Sequence, residues 1–303
     1  LNNHIGVPLT LLSFDTTTEI GIVEMGANHQ KEIEMLCEIC QPDFGYITNF
    51  GKAHLEGFGG TEGVIKGKSE LYEYLSSNQK TAFVNSDDAI QNEKTTNINR
   101  ITFGINNTAN FVNITKIETN PMVKIEFKNT TIQSHLIGLY NANNINAAIT
   151  IGKHFGVSNE KIKFGLENYI PNNNRSQLLD KNSNKIILDA YNANPSSMNA
   201  ALTNFFQLKE KNKVAILGDM FELGIESSDE HKKLIEFCFN QEDIIFYFIG
   251  KDFFAHKNSN INMHFYETFE IFKTNFSEIK PQNSFLLIKG SRGMSLERTL
   301  DLL

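Results

Sequence analysis

The run HQKEIEMLCEICQPDFGYITNFG, residues 29–51, holds two periods in succession. In its first half Ile33, Leu36, Cys37 and Cys40 recur at the spacing of one helical face. Pro42 follows and stops the helix, because it has no amide to donate and clashes with the preceding turn. Residues 44–51 then read as a strand. A helix handing over directly to a strand is half of an alternating unit, so the flanking segments decide the fold. Before it, TEIGIVEMG (18–26) reads as an apolar strand ending in glycine; after it come a helix at 61–75 and a strand at 80–85. This β-α-β-α-β order implies a parallel sheet with right-handed crossovers.

Further along, the pattern changes and then returns. Between Ile101 and Gly138, four β-prone segments separated by Asn-rich turns suggest an antiparallel appendage. Residues 141–156 read as a helix with Gly156 as its stop. After the polar run PNNNRS (171–176), a hinge, strands at NKIILDAYNANP, KVAILGDM, IIFYFIG and SFLLIKGSRG alternate with helices at 196–208, 227–240, 266–276 and 295–303. Ser196 or Ser197 is placed to cap the first of these helices. The expected fold is therefore α/β: a parallel-sheet domain with an antiparallel appendage over 1–171, and a second, Rossmann-like doubly wound domain over 172–303.

At 303 residues with 40% hydrophobic and 21% charged content, the chain has the composition of a globular protein with room for two domains. A net charge of −7 argues against a broad nucleic-acid-binding face, which needs clustered Lys and Arg. No apolar run reaches the ~18–20 residues of a membrane span. Cys37 and Cys40 spell C-x-x-C, yet they close a helix rather than open one, where the dipole would lower a thiol pKa. With no second pair to complete a zinc site, they read as core packing.

Ligands of open parallel sheets sit beyond the carboxyl ends of the strands. In the first half those ends deliver Glu24, then Asn49, Lys52 and His54. A carboxylate and an imidazole from neighbouring strands suit a divalent cation completed by water and phosphate, or else a plain hydrogen-bonded pair. In the second half the ends carry Asp189, Asn192, Asn194, Asp219, Glu222, Lys289, Ser291 and Arg292. The glycine-bounded loop around Lys289, Ser291 and Arg292 can grip a carboxylate or phosphate. These residues point to an enzyme acting on an anionic substrate without naming its reaction.

The segments LNNHIGVPLTLL, EMGANH, AHLE-FG, KSELYEYL, DAYNANPSSMNAAL, LGDMFELG and KGSRGMSLE, in this order, resemble the Mur ligases over nearly the whole chain. The resemblance implies the back part of the family's central ATPase domain followed by its C-terminal domain. It also implies a cytoplasmic, ATP-dependent amide ligation in peptidoglycan synthesis, proceeding through an acyl phosphate. The YNANP and LGDM-ELG motifs favour the branch that joins D-Ala-D-Ala to a UDP-N-acetylmuramoyl-tripeptide. By the same resemblance His54 and Glu24 belong to a Mg2+ site, and Lys68 is the lysine that becomes carbamylated and joins it. Asn141 and Asn144 are implied near the ATP nucleotide, although Tyr140 stands where the family often has histidine. Arg175 resembles the hinge arginine that reaches ATP phosphate, with Asp189 and Asn192 also meeting the nucleotide. Asn2 and Asn3 resemble residues that approach the UDP-sugar. Asn194, Asp219, Glu222, Lys289, Ser291 and Arg292 are implied around D-Ala-D-Ala or the tripeptide end. A monomer is expected.

One departure from the family stands out: the chain has no G-x-x-G-K-T/S loop to cradle phosphates. Beginning at Leu1 rather than Met, it is expected to be a piece of a longer protein, and the 303 residues alone are expected not to turn over ATP. Competing readings are a ligase adding a single amino acid or folate glutamates, a silent paralogue that only binds, and one half of a longer fusion.

Overall fold

The computed structural model describes the backbone of residues 1–303 and all side chains except those of Ser277 and Ile279. The chain packs as two compact units. Leu1–Lys116, Ile125–Thr131 and Asn143–Lys163 make the first; Ile117–Lys124, Ile132–Ala142 and Phe164–Leu303 make the second.

The first part of the chain runs α1 (Gly6–Leu12), α2 (Glu32–Cys40), β1 (Phe44–Tyr46), α3 (Leu55–Phe58), α4 (Thr61–Ser77), β2 (Thr81–Asn85), α5 (Ala89–Lys94), β3 (Asn99–Ile105) and β4 (Val112–Ile114). The four strands form one sheet in sequence order, every neighbouring pair parallel. Ile47, Phe50, Tyr72, Leu75, Ala82 and Val84 bury α4 against this sheet. On the other side of α4 the helical stripe of α2, Ile33, Leu36 and Cys37, packs on Val7 of α1. Cys37 is fully buried and burial pushes its thiol up to about 12; Cys40 is raised by the same cause. The C-x-x-C pair is therefore core packing.

Two expectations for this part are corrected. Residues 18–26 form no strand. A strand exists only by sharing a ladder, and β1 pairs with β2 alone among the described residues. Val23 and Met25 instead pack on the α1–α2 cluster, while Ile20 and Ile22 are 53% and 84% exposed. The antiparallel region also starts later than expected, since β3 and β4 extend the parallel sheet. Alternating apolar residues show that one face of a strand is buried, not which way its partner runs.

The remaining β-rich segments, β5 (Lys116–Thr119), β6 (Met122–Phe127) and β7 (Thr130–Ile137), make a three-stranded sheet in that order. Lys128 and Asn129, both at positive φ (42° and 60°), form the two-residue turn that an antiparallel hairpin favours. Then follow α6 (Leu139–His154) and α7 (Asn159–Glu167). Gly156, at φ 75°, closes α6, and the Val157 amide reaches back to the Gly152 carbonyl.

The last part runs β8 (Gln177–Lys181), β9 (Asn184–Asp189), α8 (Pro195–Gln207), β10 (Lys213–Gly218), α9 (Ser227–Cys238), β11 (Ile244–Ile249), α10 (Lys251–Phe254), β12 (Met263–Tyr266), α11 (Phe269–Ile279) and β13 (Phe285–Lys289). The sheet order is β12-β11-β10-β13-β9-β8, parallel except for β8 against β9. This is the doubly wound arrangement read from the sequence, with β8 and β12 as additions. The expected helix at the carboxyl terminus is a 3-10 segment, Leu296–Leu302, preceded by a shorter one, Arg292–Met294. Phe272 and Phe276, both fully buried with ring centroids 4.7 Å apart, seat α11 on β9, β10 and β13. Burying side chains of this size stabilises by roughly 1.5–3 kcal/mol each. No helix among the described residues is long and apolar enough to cross a membrane.

Helix α8 is capped by Asn194 rather than by Ser196. The Asn194 side chain accepts the Ser197 amide at 2.9 Å, and the Ser197 hydroxyl accepts the Asn194 amide at 3.1 Å. Pro195 at the first helical position has no amide to satisfy. Asn194→Ala should lower unfolding free energy in urea by ~1 kcal/mol, and Asn194→Asp should hold it near wild type. An unchanged midpoint for the alanine variant would remove the cap from the account.

Candidate functional site

In the first unit the candidate residues lie on turns. Glu24 stands on the unpaired stretch and His54 directly before α3, with a left-handed backbone (φ 54°, ψ 36°). The expectation that the two come off neighbouring strands is thus corrected. β1 ends at Tyr46, and the chain then turns through Asn49, whose Oδ1 accepts the Gly51 amide at 2.9 Å. The Glu24 carboxylate is oriented by Asn2, whose amide donates to Oε1 at 3.0 Å, and the Gly26 amide donates to the Asn2 carbonyl at 2.7 Å. Asn3 accepts the Ile5 and Gly6 amides on its Oδ1 and so opens α1.

Lys68 projects from α4 and donates its Nζ to the Asn49 carbonyl at 2.7 Å. Burial lowers its pKa below the usual 10.5, favouring the neutral amine. Among the described residues no three His, Cys, Asp or Glu side chains gather as a metal cage. Magnesium does not need one: it is commonly held by one or two carboxylates, with substrate phosphates and waters completing the octahedron. An oriented Glu24 carboxylate and the His54 imidazole, with a desolvated lysine on α4, fit an ion of that kind.

In the second unit, the strand-end residues converge. Lys289, 2% exposed, ends β13 opposite Asp189 of β9 in the parallel register. Its Nζ lies 2.6 Å from Asp189 Oδ2 and 3.2 Å from the Asn192 carbonyl. Asp189 Oδ1 accepts the Ser176 amide at 2.9 Å, and the Ser176 hydroxyl lies 2.6 Å from the Tyr140 hydroxyl. Burial first, and the Asp189 carboxylate second, push the Tyr140 phenol well above its ordinary value. Tyr140 therefore stays a neutral hydrogen-bonding group. Ser291 accepts the Phe221 amide at 2.8 Å and donates to the Ala193 carbonyl at 3.4 Å.

Asp219, at the end of β10, accepts the Asp252 and Phe253 amides and so caps α10. Burial raises its pKa, and those two amides oppose the rise. Gly250, at φ 128°, is required there because a Cβ would collide with that carboxylate. Beside it the buried His231 accepts the Met220 amide on Nε2, and its Nδ1 sits 2.7 Å from the Ser227 carbonyl, as in the neutral tautomer. Asp219, Lys289 and Ser291 are thus buried and hydrogen-bonded within the fold.

The exposed cations at these strand ends are Arg175 and Arg292. They lie 4.0 Å and 6.0 Å from the Tyr191 ring centroid, with Arg292 also 3.3 Å from Glu297. Tyr191, 42% exposed, escaped the sequence reading; an aromatic two residues past a buried strand end was the available signal. Glu222 is exposed at φ 63° on the loop after β10. Asn192 is exposed, its Oδ1 accepting the Ala193 amide at 2.8 Å, and Asn194 is committed to its cap. Asn141 and Asn144 sit one turn apart on α6, Asn141 buried and donating to the Ile137 carbonyl at 2.8 Å, Asn144 exposed.

The family model of the Mur ligase middle domain matches residues 1–152, and that of the Mur ligase, glutamate ligase domain matches 174–292. The chain belongs to the Mur ligase family. It is 30% identical over 309 residues to the UDP-N-acetylmuramoyl-tripeptide–D-alanyl-D-alanine ligase of Bacillus subtilis, covering 98% of this chain and 66% of that one. The Escherichia coli ligase of the same name is 30% identical over 311 residues, 99% of this chain and 68% of the relative. The chain thus spans about two-thirds of the length of these relatives. A crystal structure of MurF from Acinetobacter baumannii superposes with a TM-score of 0.87 at 30% identity, covering 99% of this chain and 68% of that one.

Lys289→Met would leave the Asp189 carboxylate buried without its cation, at a cost of about 3–5 kcal/mol. Arg292→Ala, at the surface, should stay within about 0.5 kcal/mol of wild type. Urea unfolding of both variants checks the contrast, and equal losses would remove the ion pair from its central place.

Lys68 gives a pH signature. Its folded pKa lies below 10.5, so between the two values the unfolded chain binds more protons than the folded one. Stability contributed at this site therefore rises with pH across that window. The unfolding free energy of wild type minus that of Lys68→Met should climb as pH approaches 10.5 and be flat below the lowered value. A difference that does not change with pH would count against the desolvated amine.

Proposed function

We propose that this chain carries the metal site and the amine-acceptor domain of an ATP-dependent ligase that joins D-Ala-D-Ala to UDP-N-acetylmuramoyl-tripeptide. Residues 1–171 are assigned to the middle domain and 172–303 to the C-terminal domain. The observation that carries the reading is Lys68: a half-buried amine on the Asn49 carbonyl, within a chain whose relatives from end to end bear that name.

In the proposed reaction the terminal carboxylate of the tripeptide takes the γ-phosphoryl group of ATP and ADP leaves. The dipeptide amine attacks the acyl phosphate carbonyl, an amide forms, and phosphate departs with the amine's proton released. Each step gathers negative charge on oxygen, which pre-placed cations and donors stabilise. Glu24 and His54 would hold Mg2+, which when bound supplies charge neutralisation at the phosphoryl oxygens. The neutral Lys68 amine can add CO2, forming an N–C bond and releasing one proton, so that a cation becomes a carbamate able to join that site.

Arg175 and Arg292, exposed beside Tyr191, would meet phosphate or carboxylate oxygens directly, with Asn192 beside them. Asn141 and Asn144 are assigned to the nucleotide, and Asn2 and Asn3 to the UDP-sugar side. Asp189, Lys289, Ser291, Asp219 and Asn194, being bonded internally, would act on the acceptor by shaping the loops that hold it. Glu222, exposed on one of those loops, remains available for direct contact.

The test is ligation by the protein isolated from its own cells, given ATP, Mg2+, the UDP-linked tripeptide and D-Ala-D-Ala. Mass spectrometry should find ADP, phosphate and the pentapeptide product, and His54→Ala should lower the rate by at least ~100-fold. Product formed with a single amino acid or glutamate instead would move the protein to a sister branch. Dipeptide binding without any product would favour the silent binding protein.

A further inference from the structure

Helix α2 opens without a cap of its own. Lys31, the residue before it, is left-handed (φ 73°, ψ −2°), and its side chain makes no capping hydrogen bond. The first amides of a helix have no acceptor within it. Here two of them are answered from far along the chain: Glu70 Oε1 accepts the Lys31 amide at 2.6 Å, and Oε2 accepts the Glu34 amide at 3.0 Å. Glu70 lies on α4 and is 5% exposed. Both oxygens of a buried carboxylate thus rest on a helix N-terminus, where charge and dipole reinforce each other.

The turn held in this way connects, through Gly26 and Asn2 and through Gly57, to the segments that carry Glu24 and His54. On its upstream side Glu32 Oε2 accepts the Asn28 and His29 amides at 2.6 and 3.1 Å. Two residues before Asn28 comes Gly26, tied to Asn2, and Asn2 orients Glu24. On its outer side the turn lies directly on α3, because a Cβ at Gly57 would collide with the Asn28 carbonyl. His54 immediately precedes that helix. Lys68 and Glu70 are two positions apart on α4 and so point to opposite sides of it. One helix therefore carries the lysine to Asn49 and braces the turn between Glu24 and α3.

We infer that Glu70 is a positioning residue for the metal site: by fixing the 26–34 turn it holds Glu24 and His54 in register with Lys68. The inference rests on the ligase reading above. Glu70 itself is bonded to backbone and is given no contact with substrate. Glu70→Gln keeps the shape but turns an NH2 group toward an amide N–H, breaking one of the two bonds.

The experiment is Mn2+ binding to the 303-residue chain, followed by electron paramagnetic resonance, alongside amide hydrogen exchange of residues 28–34. Outer-shell changes of this kind weaken metal binding by about 10–100-fold. Glu70→Gln should do so while speeding exchange at Lys31 and Glu34. Faster exchange with unchanged Mn2+ affinity would make the cap merely structural and overturn the inference, leaving the ligase reading in place. No Mn2+ binding by the wild type would overturn the metal reading and this inference together. If Glu70→Gln does not fold, Glu32→Gln, which loosens the same turn from the half-buried side, must weaken Mn2+ binding instead, and an unaltered affinity there overturns the inference equally.

Discussion

The contact on which the second unit depends is the ion pair of Lys289 with Asp189, 2.6 Å long and almost wholly buried. Taking two charges out of water costs several kcal/mol apiece, and attraction alone recovers this only when the remaining hydrogen-bonding positions are filled. Here they are filled by backbone. Lys289 also donates to the Asn192 carbonyl, and Asp189 also accepts the Ser176 amide. The pair therefore does more than join β13 to β9. It fixes the start of the chain leading into β8, the turn after β9 that ends in the Asn194 cap, and, through Ser176, the Tyr140 hydroxyl. The two exposed arginines flanking Tyr191 inherit their positions from those turns. An exposed cation reads a phosphate or carboxylate well only if its backbone does not move, and the buried cation keeps it from moving.

The first unit solves the same problem with carboxylates alone. Glu32 and Glu70 accept four backbone amides among residues 28–34, and Asn2 orients Glu24 from the side. Each bond answers a donor that would otherwise be orphaned at a turn or a helix start. The outcome is a loop-borne site whose geometry is set by bonds reaching across the fold rather than by strands. Glu24, on the stretch where a strand was expected, is placed by Asn2 and Gly26, not by a ladder.

How much of this could be read beforehand follows from the range of each interaction. The stripe Ile33, Leu36, Cys37 and the all-apolar runs of β10 and β13 announce themselves within a dozen residues, and they gave the α/β alternation. The strand-end residues Asp189, Asp219, Lys289 and Arg292 followed from it, because a parallel sheet sends its loops to one edge. What escaped was set by partners distant in sequence. Nothing near residues 18–26 says whether a neighbouring strand exists, and nothing near Asn99 says that β3 lies parallel to β2. Asn194 lost its cap to the serines beside it, since both residue types serve; Pro195 at the first helical position was the local clue that decides among them. Glu70 looked like one more polar position on α4 because its two acceptors serve amides 39 and 36 residues away.

The sign of the charge completes the argument. A protein of net charge −7 can meet anionic groups only where it concentrates its positive ones. The structure assigns them three different states. Lys289 pairs with the Asp189 carboxylate in the interior. Arg175 and Arg292 stay cations at the surface, where guanidinium remains charged at any physiological pH and can meet two oxygens at once. Lys68, half-buried and set on a carbonyl, has its pKa lowered by desolvation. What faces each lysine separates the two: the Asp189 carboxylate for Lys289, and the Asn49 backbone carbonyl for Lys68.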